Sequence, residues 1–151
     1  MAEKAQYEEL TRQLSAVSAV RRQLDRSLPG GCSSGTAVVL ALLDRHGELR
    51  IGTLAELLAV DMSVTSRHVT HLAERGWIDR SPDPADRRSR VLRLTSEGRA
   101  RLADLYDRAA ESLALRLSDW SEEDIHRLTS LLSRLRASFD DAPSHTPAVT
   151  F

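Results

Sequence analysis

Between Trp77 and Thr95 the chain leaves helical spacing. "WIDRS" and "RVLRLT" read as two strands around the turn "PDPADRRS". Elsewhere the apolar residues recur with a helical period. A single hairpin set in a helical chain leaves few architectures open, and its place in the order of elements decides among them. That order is one long helix, three short helices, the hairpin, then two long helices.

Over residues 3–27, Leu10, Leu14, Val17, Val20 and Leu24 step by four, three, three and four, the spacing of an amphipathic helix that "LPGG" ends. A second helix starts with Ser33 or Ser34 as N-cap, contains "TAVVLALLDRH" and stops at Gly47. "ELRI" is a short extended piece. Thr53, with Glu56 three residues on, has capping-box spacing and opens a third helix, "TLAELL". A tight turn at Val60–Asp61 leads into a fourth helix over 62–75, with Asp61 as N-cap and Gly76 as its close. Thr95 or Ser96 starts a long helix carrying Leu102, Leu105, Ala109, Leu113 and Leu117 on one face. Ser121, followed by Asp124, caps the last helix. The expected organisation is an N-terminal helix and linker (1–32), a winged helix-turn-helix (33–95), two C-terminal helices (96–140) and a Pro/Ser/Thr tail (141–151). The fold class is mainly α with a small β-hairpin wing (α+β).

Charge singles out the hairpin. The net charge of the chain is −1, yet 60–95 carries +2 and 96–151 carries −3. Lys4 is the only lysine, so high Arg content is general and only its placement informs. The sharpest concentration runs from Arg87 to Arg93. No apolar run approaches the roughly 20 residues of a membrane span, and the polar N-terminus does not read as a signal peptide. A cytoplasmic location is expected.

Catalytic and metal chemistry find little support. There is no phosphate-binding glycine loop and no nucleophile motif, so no enzyme is expected. None of His46, His68, His71, His126 and His145 pair at the four-residue spacing that puts two imidazoles on one helix face. No metal and no cofactor are expected. Cys32 excludes an intrachain disulfide framework. It precedes the second helix, which makes it a redox candidate, but no cation adjoins it in sequence; an inert thiol is the alternative.

The fourth helix has two faces. Thr65, Val69, Leu72 and Gly76 form the inner stripe, and the outer side offers Ser63, Ser66, Arg67, Thr70 and His71, flanked by His68. Small hydroxyls let such a helix enter a groove closely, and Arg67 can fork onto a guanine edge or clamp a phosphate. A polar face alone would describe any surface helix. The tight turn before it and the basic hairpin after it favour DNA.

These residues resemble the MarR family of bacterial winged helix-turn-helix transcription regulators. The wing signature D-x-R-x-x-x-L-x-L-T falls on Asp86, Arg88, Leu92, Leu94 and Thr95. "S-x-T-S-R" and "L-x-E-R-G-W-I-x-R" match beside it. The resemblance implies a homodimer held by the terminal helices, acting as a repressor on double-stranded DNA with a pseudo-palindromic operator. It implies that Arg88 enters the minor groove, oriented by Asp86, whose carboxylate can fix the guanidinium fork by charge-assisted bonds. Arg87 and Arg90 either contact flanking phosphates or raise the local potential. Arg93 is expected to be a solvated strand residue. Thr53 is expected to meet a phosphate, or simply to cap its helix. A small-molecule effector is also implied, in a pocket near Arg12, Ala16, Val38, Leu42 and Tyr106, positions that equally suit plain core. The alternatives are a winged-helix protein-interaction module, which would need an apolar patch on the reading helix, and a redox-sensing regulator acting through Cys32.

Overall fold

A computed structural model describes residues 3–26 and 34–140. Cys32, Ser33 and the tail 141–151 lie outside the described residues. Two compact units make up the chain, residues 1–113 and 114–151.

The first unit contains α1 (Lys4–Arg26), α2 (Ser34–His46), β1 (Glu48–Arg50), α3 (Ile51–Leu58), α4 (Met62–Glu74), β2 (Ile78–Pro82), β3 (Arg90–Leu94) and most of α5 (Ser96–Arg116). Its centre is aliphatic. Leu40 and Leu43 of α2, Leu54 of α3, Leu72 of α4 and Leu92 of β3 are almost completely buried, and burying each such side chain contributes about 1.5–3 kcal/mol. Leu102 and Leu105 of α5 join the same core. On α4 the expected inner stripe is the buried one: Thr65, Val69 and Leu72.

The hairpin belongs to a larger sheet. The piece "ELRI" supplies a third strand, and the antiparallel order is β1-β3-β2. Leu49 stands opposite Leu92, and Ile78 opposite Leu94, so the apolar side chains of all three strands meet the helices. Sequence spacing shows alternation, but it does not show which strand an isolated three-residue run will join.

The N-cap of the third helix lies three residues earlier than its capping-box spacing predicts. Arg50, the last residue of β1, is its N-cap, with extended backbone and no side-chain cap bond. Thr53 therefore lies inside the first turn. The reason is the sheet: β1 pairs as far as Arg50↔Val91, and the chain turns directly from strand into helix. The α3–α4 turn is made by Ala59 in the left-handed region, φ +52°, a conformation that costs a non-glycine residue something. Asp61 is the N-cap of α4, but it acts through its carbonyl, which accepts the Thr65 N–H at 3.0 Å.

Thr95 of the wing signature has a structural task. Its hydroxyl donates to the Gly76 carbonyl at 2.6 Å and accepts the Gly98 N–H at 3.0 Å. It thus caps α5 and ties it to the turn after α4. A Cβ on Gly98 would stand 1.9 Å from the Trp77 carbonyl oxygen, so only glycine fits there. The Trp77 ring lies between the guanidinium groups of Arg75 and Arg101, at 5.2 and 5.3 Å.

The second unit contains α6 (Glu122–Asp140). Ser121 caps it through a bond from the Asp124 N–H to its hydroxyl, at 3.1 Å. None of its residues is buried, and Ile125, Leu128, Leu131, Leu132 and Phe139 are exposed. In the first unit, α1 likewise exposes Tyr7, Leu10, Leu14, Val17 and Val20. On its polar side, Gln13 and Arg12 donate to Glu9 and hold that carboxyl below its usual range.

Candidate nucleic-acid interface

The outer face of α4 carries the side chains that spacing placed there. Ser63, Arg67, Thr70 and His71 are exposed and Ser66 is half-buried. Ser66, Arg67, Thr70 and His71 line a shallow groove of about 280 Å³, together with Glu74. Glu74 was not among the expected site residues, although its steps of four and seven from Thr70 and Arg67 put it on the same stripe. Among the described residues, no partner ties down the side chains of Ser63, Ser66, Arg67, Thr70 or His71. They are donors and acceptors left to solvent on a rigid helix.

His68 stands apart from that groove. Its ring lies against Gly35 of α2, where a Cβ would come within 2.8 Å of the imidazole Cε1. It also lines an open hollow with Arg21, Asp25 and Val38. A residue at the flank of a helix can turn either way, and the bare glycine opposite decides the direction here.

The wing is held at its base and free at its tip. Asp83 is 6% exposed. Its Oδ1 accepts the Ala85 N–H at 2.9 Å, and its Oδ2 pairs with Arg50 Nη2 at 2.5 Å. Its N–H donates to the Ser89 carbonyl at 3.0 Å, and the Ser89 N–H to the Asp86 carbonyl at 2.9 Å. Asp83, which anchors the wing base, is the residue that sequence reasoning missed. Its sign was present in the turn-forming "PDP", but its burial is a tertiary fact.

Asp86 differs from the expected role in its means. Its carboxylate accepts the backbone N–H of Arg88 at 3.0 Å; no bond joins it to the Arg88 guanidinium. A short Asp side chain reaches the amide two residues ahead more readily than a flexible side-chain end. It therefore sets the backbone from which Arg88 projects. The side chains of Arg87, Arg88 and Arg90 are exposed, with no ion-pair partner among the described residues. Arg93 is exposed as expected, and it also pairs with Glu48 across the β1–β3 register. Thr53, exposed in the first turn of α3, lines a hollow with Arg50 and Asp83 beside the wing base.

The first unit also has a partly open cavity of about 390 Å³, lined mostly by apolar residues of α1, α2 and α5. Of the expected pocket residues, Tyr106 lines it and Val38 lines the neighbouring hollow. Leu42 packs on the core, and Arg12 pairs with Glu9 on the surface.

Comparison with known proteins covers the segment that carries this geometry as far as the wing tip. The sequence model of the MarR family matches residues 33–89. An HTH-type transcriptional regulator of Bacillus subtilis, YfiV, is 30% identical over 120 residues, covering 80% of this chain and 71% of the relative. The B. subtilis transcriptional repressor MdtR is 28% identical over 105 residues, 70% of this chain and 68% of its own. Among solved structures, E. coli MarR without ligand superimposes with a TM-score of 0.73 at 22% identity, over 83% of this chain and 95% of that one. A variant of it in complex with operator DNA gives 0.63 at 22% identity, over 89% and 99%. A winged helix-turn-helix fold and a relative matched along most of its length agree: the chain belongs to the MarR family of transcription regulators.

Proposed function

We propose that this protein is a dimeric, sequence-specific DNA-binding repressor that releases its operator when a small molecule binds. The observation that supports it best is the trio of unpartnered arginines, Arg87, Arg88 and Arg90, on a wing whose base is pinned by Asp83. A positively charged tip on a rigid stem suits a narrow minor groove, where the negative potential is enhanced. The groove face of α4 would enter the major groove, with Arg67 placed for a guanine edge and the hydroxyls of Ser63, Ser66 and Thr70 for close approach. Thr53 and the first turn of α3 would meet a phosphate. The operator complex of E. coli MarR supports this reading by likeness of fold.

The exposed apolar stripes of α1 and α6 call for a partner surface, and a second copy supplies one in a two-fold arrangement. Half-sites would lie about one helical turn apart, roughly 10 bp. The cavity beside Tyr106, with Arg21 and Asp25 in its wall, is the place for a small aromatic or lipophilic effector. Such a ligand would lower DNA affinity by preferring a different spacing of the reading heads. The protein would act in the cytoplasm, where its DNA is, and needs no cofactor. No described helix is long and apolar enough to cross a membrane.

Selection of bound DNA from a random pool tests the reading. A palindromic consensus with half-sites about 10 bp apart is expected. Failure to enrich any sequence would favour the protein-interaction module instead.

A further inference from the structure

The reading helix begins with an exposed apolar side chain that the groove face leaves unexplained. Met62 is the first residue of α4 and is 48% exposed. It does not belong to the buried core cluster. Its Cε lies 3.7 Å from where a Cβ on Gly52 would stand. The thioether therefore rests over bare backbone between the first turns of α3 and α4. We infer that Met62 reads the C5-methyl group of a thymine in the major groove, which makes it a specificity-determining residue; the inference rests on the DNA-binding reading above.

The surroundings of Met62 are polar. The first turns of both helices carry N–H groups without intrahelical partners, which favour phosphate oxygens. Thr53 and Ser63, the exposed polar residues of those turns, suit the same polar targets. A thioether adds nothing to such contacts. Scattered exposed apolar residues are ordinary on protein surfaces, but this one stands at the end of the helix that leads into the groove. The major-groove edge of DNA offers one apolar group, the thymine methyl. An unbranched, polarizable Met side chain can adjust its reach to a methyl group without a preformed pocket. Gly52 carries no side chain, so the exposed thioether rests beside α3 backbone and remains open to a contact from outside.

The test uses the full chain and the operator obtained by selection. Each thymidine of a half-site is replaced in turn by deoxyuridine, which removes the methyl group and keeps base pairing. The wild-type protein should lose about three- to fivefold in affinity per half-site at one position, the worth of one buried methyl group. Met62→Ala should show that loss on the unmodified duplex and no further loss on the deoxyuridine duplex. Met62→Leu, which keeps an apolar end, should retain sensitivity at that position. The inference is overturned if no deoxyuridine position weakens the wild type, a result independent of how any variant folds. It is also overturned if Met62→Ala keeps the wild-type sensitivity, which would leave Met62 to a protein partner. Absence of any selected operator would instead overturn the DNA-binding reading itself, before the methyl scan begins.

Discussion

Arg50 and Arg93 on the sheet and Arg87, Arg88 and Arg90 at the wing tip are the same residue type under opposite arrangements. Arg50 is paired with the buried Asp83, and Arg93 with Glu48 across the strands. The three tip residues have no such partner among the described residues. An arginine already engaged by a carboxylate must give up that bond to meet a phosphate. An unengaged one loses only water. The difference separates arginines that hold the wing from arginines free to meet a ligand. It also shows how a protein of net charge −1 can present a cationic probe: Asp83 and Glu48 engage the arginines of the sheet, while the only carboxylate at the tip, Asp86, is bonded to a backbone amide.

The contrast can be broken by substitution. The largest effect expected is on Arg88→Ala, which should lower operator affinity about ten- to a hundredfold at fixed salt while leaving the thermal midpoint unchanged. A gel-shift titration beside a melting curve checks both. Equal affinity would remove Arg88 from the interface and with it the proposed use of the tip. Asp83→Ala should do the reverse. It deletes the acceptor for the Ala85 N–H and the partner of Arg50, and should cost about 1–2 kcal/mol, since Arg50 is half exposed and its pair is screened. Denaturant unfolding would show that loss; a variant as stable as the wild type would mean that the wing base needs no anchor. Arg93→Ala is the smallest. Both partners of its ion pair are more than half exposed, so the change should be under about 0.5 kcal/mol and operator affinity should hold. A large drop in affinity would place Arg93 among the DNA contacts and end the distinction between strand and tip.

The groove face of α4 was legible in the sequence because a helix puts residues three and four apart on one side. Ser66, Arg67, Thr70 and His71 follow from that spacing alone. His68 did not, since its direction depends on Gly35, more than thirty residues away in the chain. The wing signature likewise placed Asp86 beside Arg88, but the bond it makes is to the backbone amide. Whether the carboxylate accepts from a guanidinium or from a backbone amide is a matter of loop geometry, which spacing does not contain.

Sequence periodicity by itself determined the number and order of the helices, the hairpin, the inner stripe of α4 and the basic character of the wing. These follow from short-range rules: side-chain direction along a helix, alternation along a strand, and turn-forming residues. Only the tertiary structure decided that "ELR" becomes a sheet strand, that α3 starts at Ile51 and not at Thr53, and that Asp83 is buried against Arg50. It also decided that Met62 is left exposed at the head of the reading helix. Each of these depends on what a distant segment brings alongside. Strand pairing, burial and the choice of ion-pair partner are properties of neighbours in space, and no local pattern encodes them.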